Sequence, residues 1–80
     1  AMNILLVEDN QTDIDFFLLQ AQKVQLFRQI DVARTMADAI HSLQEKTYDL
    51  MFWDMMLPDN SGFEVLRSFP ACPPVVALTS

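Results

Sequence analysis

The stretch YDLMFWDMMLPDNSG, residues 48–62, joins an apolar run to a carboxylate and then to a turn. Residues 50–53 are all apolar, as in a strand buried on both faces, and Asp54 ends the run. Pro58 fixes one φ angle, and Gly62, the only glycine in the sequence, allows close backbone contact where a helix begins. The pattern predicts a central strand whose carboxyl end presents an acidic side chain beside a tight turn.

Strand and helix patterns alternate on both sides of that stretch. Strands are predicted at NILLV (3–7), RQIDVAR (28–34), YDLMFWD (48–54) and PPVVALTS (73–80). Helices are predicted at about 12–25, 36–46 and 61–69, with helical spacing of their apolar residues. The order βαβαβαβ predicts an α/β fold, a doubly wound parallel sheet with helices on both faces. The alternating second strand is expected near an edge.

The helix termini and the apolar faces give more detailed expectations. Thr12 with Asp15 has the spacing of a capping pair for the first helix, and Thr35 is predicted to cap the second. Trp53 faces away from Asp54 and is predicted to lie in the core under a helix. The predicted buried stripe of the first helix contains Ile14, Phe17, Leu18, Ala21 and Val24. Phe16 and Leu19 project away from this stripe.

Length and composition exclude several classes of function. The chain has 80 residues, which is one small domain, and Ala1 ahead of Met2 is interpreted as a cloning remnant. Its net charge of −6 argues against binding to nucleic acid, which needs clustered Lys and Arg. No apolar run approaches the ~20 residues of a membrane span, and no secretion signal is evident. The single Cys72 cannot form an intramolecular disulfide, so a reducing compartment, the cytoplasm, is expected.

The carboxyl ends of parallel strands meet at one edge of the sheet, which is where ligands bind in such folds. Glu8, Asp9 and Asp54 are expected there, together with the hydroxyl of Thr79. Clustered carboxylates repel unless they share a cation, and Mg²⁺ suits oxygen ligands. Asp9, Asp54 and a backbone carbonyl just after Asp54 would suffice, with Glu8 acting partly through water. The alternative is that Asp9 and Asn10 merely cap the first helix.

The sequence supports two interpretations of the role of Asp54. Next to Mg²⁺, its carboxylate can attack phosphorus and form an acyl phosphate. Thr79, ending the neighbouring strand, could then donate a hydrogen bond to a phosphoryl oxygen. The alternative is a solvated acid at the end of a strand.

Three segments, ILLVEDN, DLMFWDMMLPDNSGFEVL and VVALTS, together resemble the receiver domain of two-component response regulators. The resemblance spans essentially all 80 residues. It implies a flavodoxin-like sheet with strand order 2-1-3-4. It implies an acidic pair at Glu8 and Asp9, the phosphoacceptor at Asp54, turn residues at Pro58 and Gly62, the switch hydroxyl at Thr79 and a metal-binding backbone carbonyl at Met56.

The same resemblance implies partners and a boundary. The expected phosphoryl donor is a sensor histidine kinase or a histidine phosphotransfer protein. Receivers normally continue with a fourth helix, a fifth strand that carries a lysine, and a fifth helix. Residues 1–80 are therefore expected to be the N-terminal part of a receiver domain. A receiver of this kind is not expected to be an enzyme, except that it can catalyse its own phosphorylation and dephosphorylation.

Two rival functions remain at this point. An Mg²⁺-dependent phosphatase of the haloacid dehalogenase type would also use an Asp nucleophile, but it carries a second Asp where this sequence has Met56. A phosphorylation-independent interaction module would bind a partner through its sheet. A homodimer, formed through the edge strand that includes residues 75–78 or through an uncovered face, is the expected form of that interaction.

Overall fold

The computed structural model describes residues 1–54 and 67–78. Its elements follow in the order β1 (Met2–Val7), α1 (Gln11–Ala21), β2 (Phe27–Ala33), α2 (Met36–Glu45), β3 (Leu50–Asp54) and β4 (Val75–Leu78). All strand pairings are parallel, and the order across the sheet is β2-β1-β3-β4. The predicted α/β class, strand order and edge position of the second strand are confirmed. The predicted third helix lies mostly outside the described residues.

The two central strands are apolar because both faces of the sheet are covered along them. Side chains alternate between the faces with a period of two. On one face, Leu5, Val7, Met51 and Trp53 pack with α2 in the main core, and Trp53 is 1% exposed, as predicted.

The opposite face of the sheet carries α1 and is built around aromatic rings. Phe17 of α1 meets Phe52 of β3 edge-on, with 4.9 Å between ring centroids. Phe27, the first residue of β2, approaches the same ring at 6.1 Å. Edge-to-face aromatic pairs of this kind add stability beyond that from the apolar area they bury. These ring contacts hold α1 against β3, the strand that ends in Asp54.

The start of α1 differs from the predicted Thr12–Asp15 capping pair and agrees with the alternative that Asn10 caps the helix. Asn10, not Thr12, is the N-cap, and its side-chain oxygen accepts a hydrogen bond from the Asp13 backbone N–H at 3.0 Å. Asn10 can cap because its backbone is extended (φ −91°, ψ 119°) directly after the loop that leaves β1. The cap predicted for α2 is confirmed, since the Asp38 N–H donates to Thr35 Oγ1 at 3.1 Å.

The end of α1 also differs, because the helix stops at Ala21 rather than near residue 25. Beyond it the chain bends through four-residue turns, in one of which the Val24 N–H donates to the Ala21 carbonyl oxygen at 2.9 Å. The chain must return so that Phe27 can pair with Met2 at the far end of β1. Val24 is consequently exposed and does not belong to the buried stripe. Phe16 and Leu19 are exposed as predicted.

The two described helices are 11 and 10 residues long. In residues 1–54 and 67–78, no helix has both the length and the apolar character needed to cross a membrane.

Candidate metal centre at the carboxyl edge of the sheet

Strand pairing brings the acidic side chains together. Val7 of β1 pairs with Trp53 of β3, so the next residues, Glu8 and Asp54, stand side by side where the two strands end. Glu8, Asp9 and Asp54 each present a carboxylate oxygen, and these oxygens all lie within 4.8 Å of one another. Glu8 and Asp54 are only 5% and 6% exposed, whereas Asp9 faces solvent. The adjacent acids Glu8 and Asp9 thus form one partly buried cluster with the distant Asp54.

The cluster is electrostatically unfavourable without a counter-charge. Burial raises the pKa of Glu8 to about 7, and the hydrogen bond and negative charge of Asp54 push it in the same direction. The Asn10 backbone N–H opposes the shift by donating to Glu8 Oε1 at 3.1 Å. Near pH 7 the Glu8 carboxyl is therefore protonated in a substantial fraction of molecules, and a bound cation would replace that proton.

The donor set fits a hard divalent cation. All three side chains offer carboxylate oxygens, and Mg²⁺ binds through one or two carboxylates while keeping several waters. The exposed position of Asp9 leaves one side of the cluster open to such waters. Neither His nor Cys belongs to the described cluster, so its chemistry does not match the usual zinc ligands.

The loop between β1 and α1 is held by bonds that the sequence did not reveal. The Glu8 backbone N–H donates to the Ala33 carbonyl oxygen at 2.9 Å, which extends the β1–β2 ladder into the site. The Arg34 guanidinium donates to the Gln11 side-chain oxygen and reaches the Asp9 backbone oxygen at 3.5 Å. A basic residue at the carboxyl end of the predicted strand 28–34 was the available signal, because that position lies at the same edge as Asp54.

A groove opens beside the carboxylates, between α1 and β4. It has a volume of 260 Å³ and is lined mainly by apolar groups, with Glu8, Asp13 and Asp54 at its acidic end. Its apolar lining comes from Leu6, Phe16, Phe17 and Leu78. Phe16 is 64% exposed, so the groove wall is open to solvent on the α1 side.

Four of the predicted site residues lie outside the described part of the chain. They are Met56, Pro58, Gly62 and Thr79. Their roles in metal binding, the turn and phosphoryl binding stay predictions. The described residues bring together Glu8, Asp9 and Asp54, the acidic part of the predicted site.

A parallel sheet of order 2-1-3-4 with an acidic cluster at its carboxyl edge defines a doubly wound domain with a candidate cation site. The model of the response regulator receiver domain family matches residues 4–80. The chain therefore belongs to this family, whose members act in two-component signalling rather than as metabolic enzymes.

Similar proteins include two sensors and several solved response regulators. The aerobic respiration control sensor protein ArcB of Escherichia coli K12 is 34% identical over 86 residues, covering 100% of this chain and 11% of ArcB. The autoinducer 2 sensor kinase/phosphatase LuxQ of Vibrio harveyi is 41% identical over 64 residues, covering 80% of this chain and 7% of LuxQ. The chain thus spans about a tenth or less of the length of these relatives.

The solved structures match the whole chain. The MaeR response regulator bound to beryllium trifluoride superimposes with a TM-score of 0.87 at 26% identity, covering 100% of this chain and 68% of that one. A response regulator from Hahella chejuensis gives a TM-score of 0.84 at 32% identity, covering 100% and 64%. The fold is therefore that of response regulators.

Proposed function

We propose that this chain is an Mg²⁺-dependent phosphoacceptor module that receives a phosphoryl group on Asp54. One observation carries the proposal: Asp54 ends the central strand β3 and meets Glu8 and Asp9 with carboxylate oxygens within 4.8 Å. The proposed donor is the phosphohistidine of a sensor kinase or of a phosphotransfer protein. Similarity to two sensor proteins supports a donor of this kind.

Each acidic side chain has a separate part in the proposed reaction. Asp9 and Asp54 would hold the cation, and Glu8, which is buried and accepts a hydrogen bond from the Asn10 N–H, would act through a bound water. The cation would neutralise charge that develops on the phosphoryl oxygens. A carboxylate oxygen of Asp54 would attack phosphorus while the P–N bond to the donor histidine breaks; the histidine nitrogen keeps the electron pair, and the proton on the other ring nitrogen makes the leaving group neutral. The product is an acyl phosphate on Asp54 and a neutral imidazole.

The MaeR structure gives further support for a phosphoryl site in a domain of this fold, because beryllium trifluoride is an analogue of a phosphoryl group. Membership of the receiver family also favours a signalling module over the phosphatase alternative. Thr79 and the Met56 carbonyl are proposed to bind a phosphoryl oxygen and the cation, respectively.

The first test compares Asp54→Asn with a matched control, Asp49→Asn. Both variants remove one carboxylate at an end of β3, but Asp49 lies at the opposite end, where its oxygen accepts a bond from the Asn3 N–H at 2.7 Å. An Asn side chain can still accept that bond. We expect titration calorimetry to show Mg²⁺ binding weakened at least 10-fold by Asp54→Asn and unchanged by Asp49→Asn. Equal Mg²⁺ affinity in the wild type and Asp54→Asn would contradict a shared site.

The second readout is covalent and uses the full-length protein. Incubation with Mg²⁺ and a small phosphodonor such as phosphoramidate should add one phosphoryl group to the protein. Intact-mass spectrometry measures this addition. Asp54→Asn should abolish the adduct, and removal of Mg²⁺ by EDTA should do the same. An adduct that persists at full yield in Asp54→Asn would assign the acceptor to another residue.

Three further points belong to the same proposal. Residues 1–80 are proposed to be the N-terminal part of a receiver domain, which the 64% and 68% coverage of solved response regulators supports. The cytoplasm is the proposed location, supported by the single cysteine of the sequence. Self-association through β4 is the second candidate function, favoured by the exposure of Val76 on this outer strand.

A further inference from the structure

Arg34 lies outside the carboxylate cluster, yet its guanidinium is bonded to the loop that carries the cluster. Nη1 donates to the Gln11 side-chain oxygen, and Nη2 reaches the Asp9 backbone oxygen at 3.5 Å. Arg34 follows β2 directly, whereas Asp9 and Gln11 belong to the connection from β1 into α1. One side chain therefore joins the carboxyl end of an edge strand to the start of a helix.

A second hydrogen bond of the Gln11 side chain fixes the orientation of its amide group. The Gln11 amide nitrogen donates to Asp15 Oδ1 at 2.8 Å, one helical turn further along α1. That bond turns the amide oxygen of Gln11 towards Arg34. The side chains form a chain from Arg34 through Gln11 to Asp15, so a shift of the loop would break more than one bond.

Asp9 is the least constrained of the three acids. Glu8 is buried and continues the ladder to Ala33, and Asp54 is buried at the end of β3. The Asp9 side chain is exposed, so the position of its carboxylate depends mainly on the backbone that carries it.

We propose that Arg34 is a positioning residue for Asp9. Its bonds fix the backbone between Glu8 and α1, so that the Asp9 carboxylate stays within reach of Glu8 and Asp54 and can share a divalent cation with them. The proposal rests on the proposed function only in that the cation is Mg²⁺. Arg34 acts through the loop, and it does not touch the cation.

Positioning and simple charge have opposite consequences for Mg²⁺ affinity. A guanidinium beside the cluster repels a divalent cation, so removing its charge would tighten Mg²⁺ binding if charge alone mattered. If Arg34 instead holds the loop, removing it weakens binding, because the freed Asp9 must be ordered again when the cation binds. The sign of the change therefore separates the two effects.

The experiment measures Mg²⁺ affinity of the 80-residue chain by calorimetry at fixed ionic strength. The variants are Arg34→Met, which removes the charge and the bonds, and Arg34→Lys, which keeps the charge but loses the planar two-pronged donor. The control is Arg28→Met. Arg28 lies near the amino end of β2, whereas Arg34 directly follows its carboxyl end. Both Met variants lower the number of basic residues from 5 to 4 against 11 acids, giving a net charge of −7.

We expect both Arg34 variants to bind Mg²⁺ about 10-fold more weakly than the wild type, the size of effect that supporting partners of metal ligands commonly have. Arg28→Met should bind as the wild type does. Equal or tighter binding by Arg34→Met would overturn the proposal.

A second readout needs no metal. Hydrogen exchange followed by NMR, in EDTA, reports the amide N–H groups of Asn10 and Asp13, which are bonded to Glu8 and to the Asn10 side chain. Arg34→Met should accelerate exchange at these two amides several-fold while Met51 and Trp53 in β3 keep wild-type rates. Acceleration spread equally over β3 would assign Arg34 to global stability and would also overturn the proposal.

The two readouts separate the failure of this inference from the failure of the proposed function. If the wild type binds no Mg²⁺, the proposed function fails, and the exchange rates at Asn10 and Asp13 still decide whether Arg34 holds the loop. Unchanged rates in Arg34→Met would then reject its positioning role.

Discussion

At the scale of single residues, the buried Glu8 and the half-buried Asp31 meet opposite environments. Glu8 lies beside another carboxylate, so burial and Asp54 together raise its pKa to about 7. Burial also opposes the charge of Asp31, but hydrogen bonds from Tyr48, Gln29 and Lys46 outweigh it and lower the pKa of Asp31. A carboxylate is thus a candidate ligand at the carboxyl edge of the sheet and a structural hydrogen-bond acceptor within the edge strand β2.

Tyr48 and Asp31 form a pair whose contribution to stability depends on pH. The Tyr48 hydroxyl donates to Asp31 Oδ2 at 2.6 Å, and Lys46 Nζ donates to the same oxygen at 3.0 Å. Burial, followed by the bond to the Asp31 carboxylate, raises the pKa of Tyr48 from 10.0 to about 12. A raised folded-state pKa stabilises the folded state below the unfolded value, and this stabilisation is lost as pH rises through the folded value.

We therefore expect Tyr48→Phe to lower the free energy of unfolding by about 1 to 3 kcal/mol at pH 8. The difference from the wild type should shrink between pH 10 and 12, where the hydroxyl ionises in the folded protein. Urea unfolding at several pH values measures it, and Tyr48 is the only tyrosine in the sequence. A difference that does not change with pH would show that Tyr48 stabilises through packing alone.

At the scale of elements, the start of α1 couples helix formation to the site. The Asn10 side chain caps the helix, and its backbone N–H bonds Glu8, so one residue serves both the helix and the carboxylate cluster. The cap satisfies one of the N–H groups that every helix leaves without an intrahelical partner. Phe17, packed on Phe52, then orients α1 over the sheet.

Replacement of Asn10 by Ala should cost about 1 kcal/mol of stability, the typical value for loss of an N-cap. Thr12→Ala is the matched control, because Thr12 lies inside the first turn and should change stability by less than about 0.5 kcal/mol. Both are compared by urea unfolding in EDTA, so that metal binding does not contribute. Equal losses would mean that the capping contact contributes nothing measurable.

At the scale of the whole molecule, the described sheet is covered unevenly. Its interior strands β1 and β3 are buried, whereas outer strand β4 carries Val76, which is 40% exposed. Phe16 and Leu19 of α1 are also exposed, at 64% and 56%. An outer strand with exposed apolar side chains is a template for pairing with another chain.

We expect the 80-residue chain to self-associate in the micromolar range through β4. Sedimentation velocity at several concentrations measures the association. Val76→Lys should abolish it, because a charge on an outer strand disfavours pairing. Val24→Lys is the control, since Val24 is similarly exposed but lies between α1 and β2. A monomer at every concentration, or equal loss in both variants, would reject association through β4.

The sequence by itself determined the fold class and the acids at the edge. The apolar run before Asp54, the run before Glu8 and the helical spacing between strands are local patterns, and parallel strands bring their carboxyl ends together. Only the tertiary structure decided that Asn10 caps α1, that α1 ends at Ala21 and that Arg34 bonds the Asp9 backbone. These features depend on the register in which β2 pairs with β1. Local sequence patterns do not determine that register, because it depends on contacts between residues far apart in the chain.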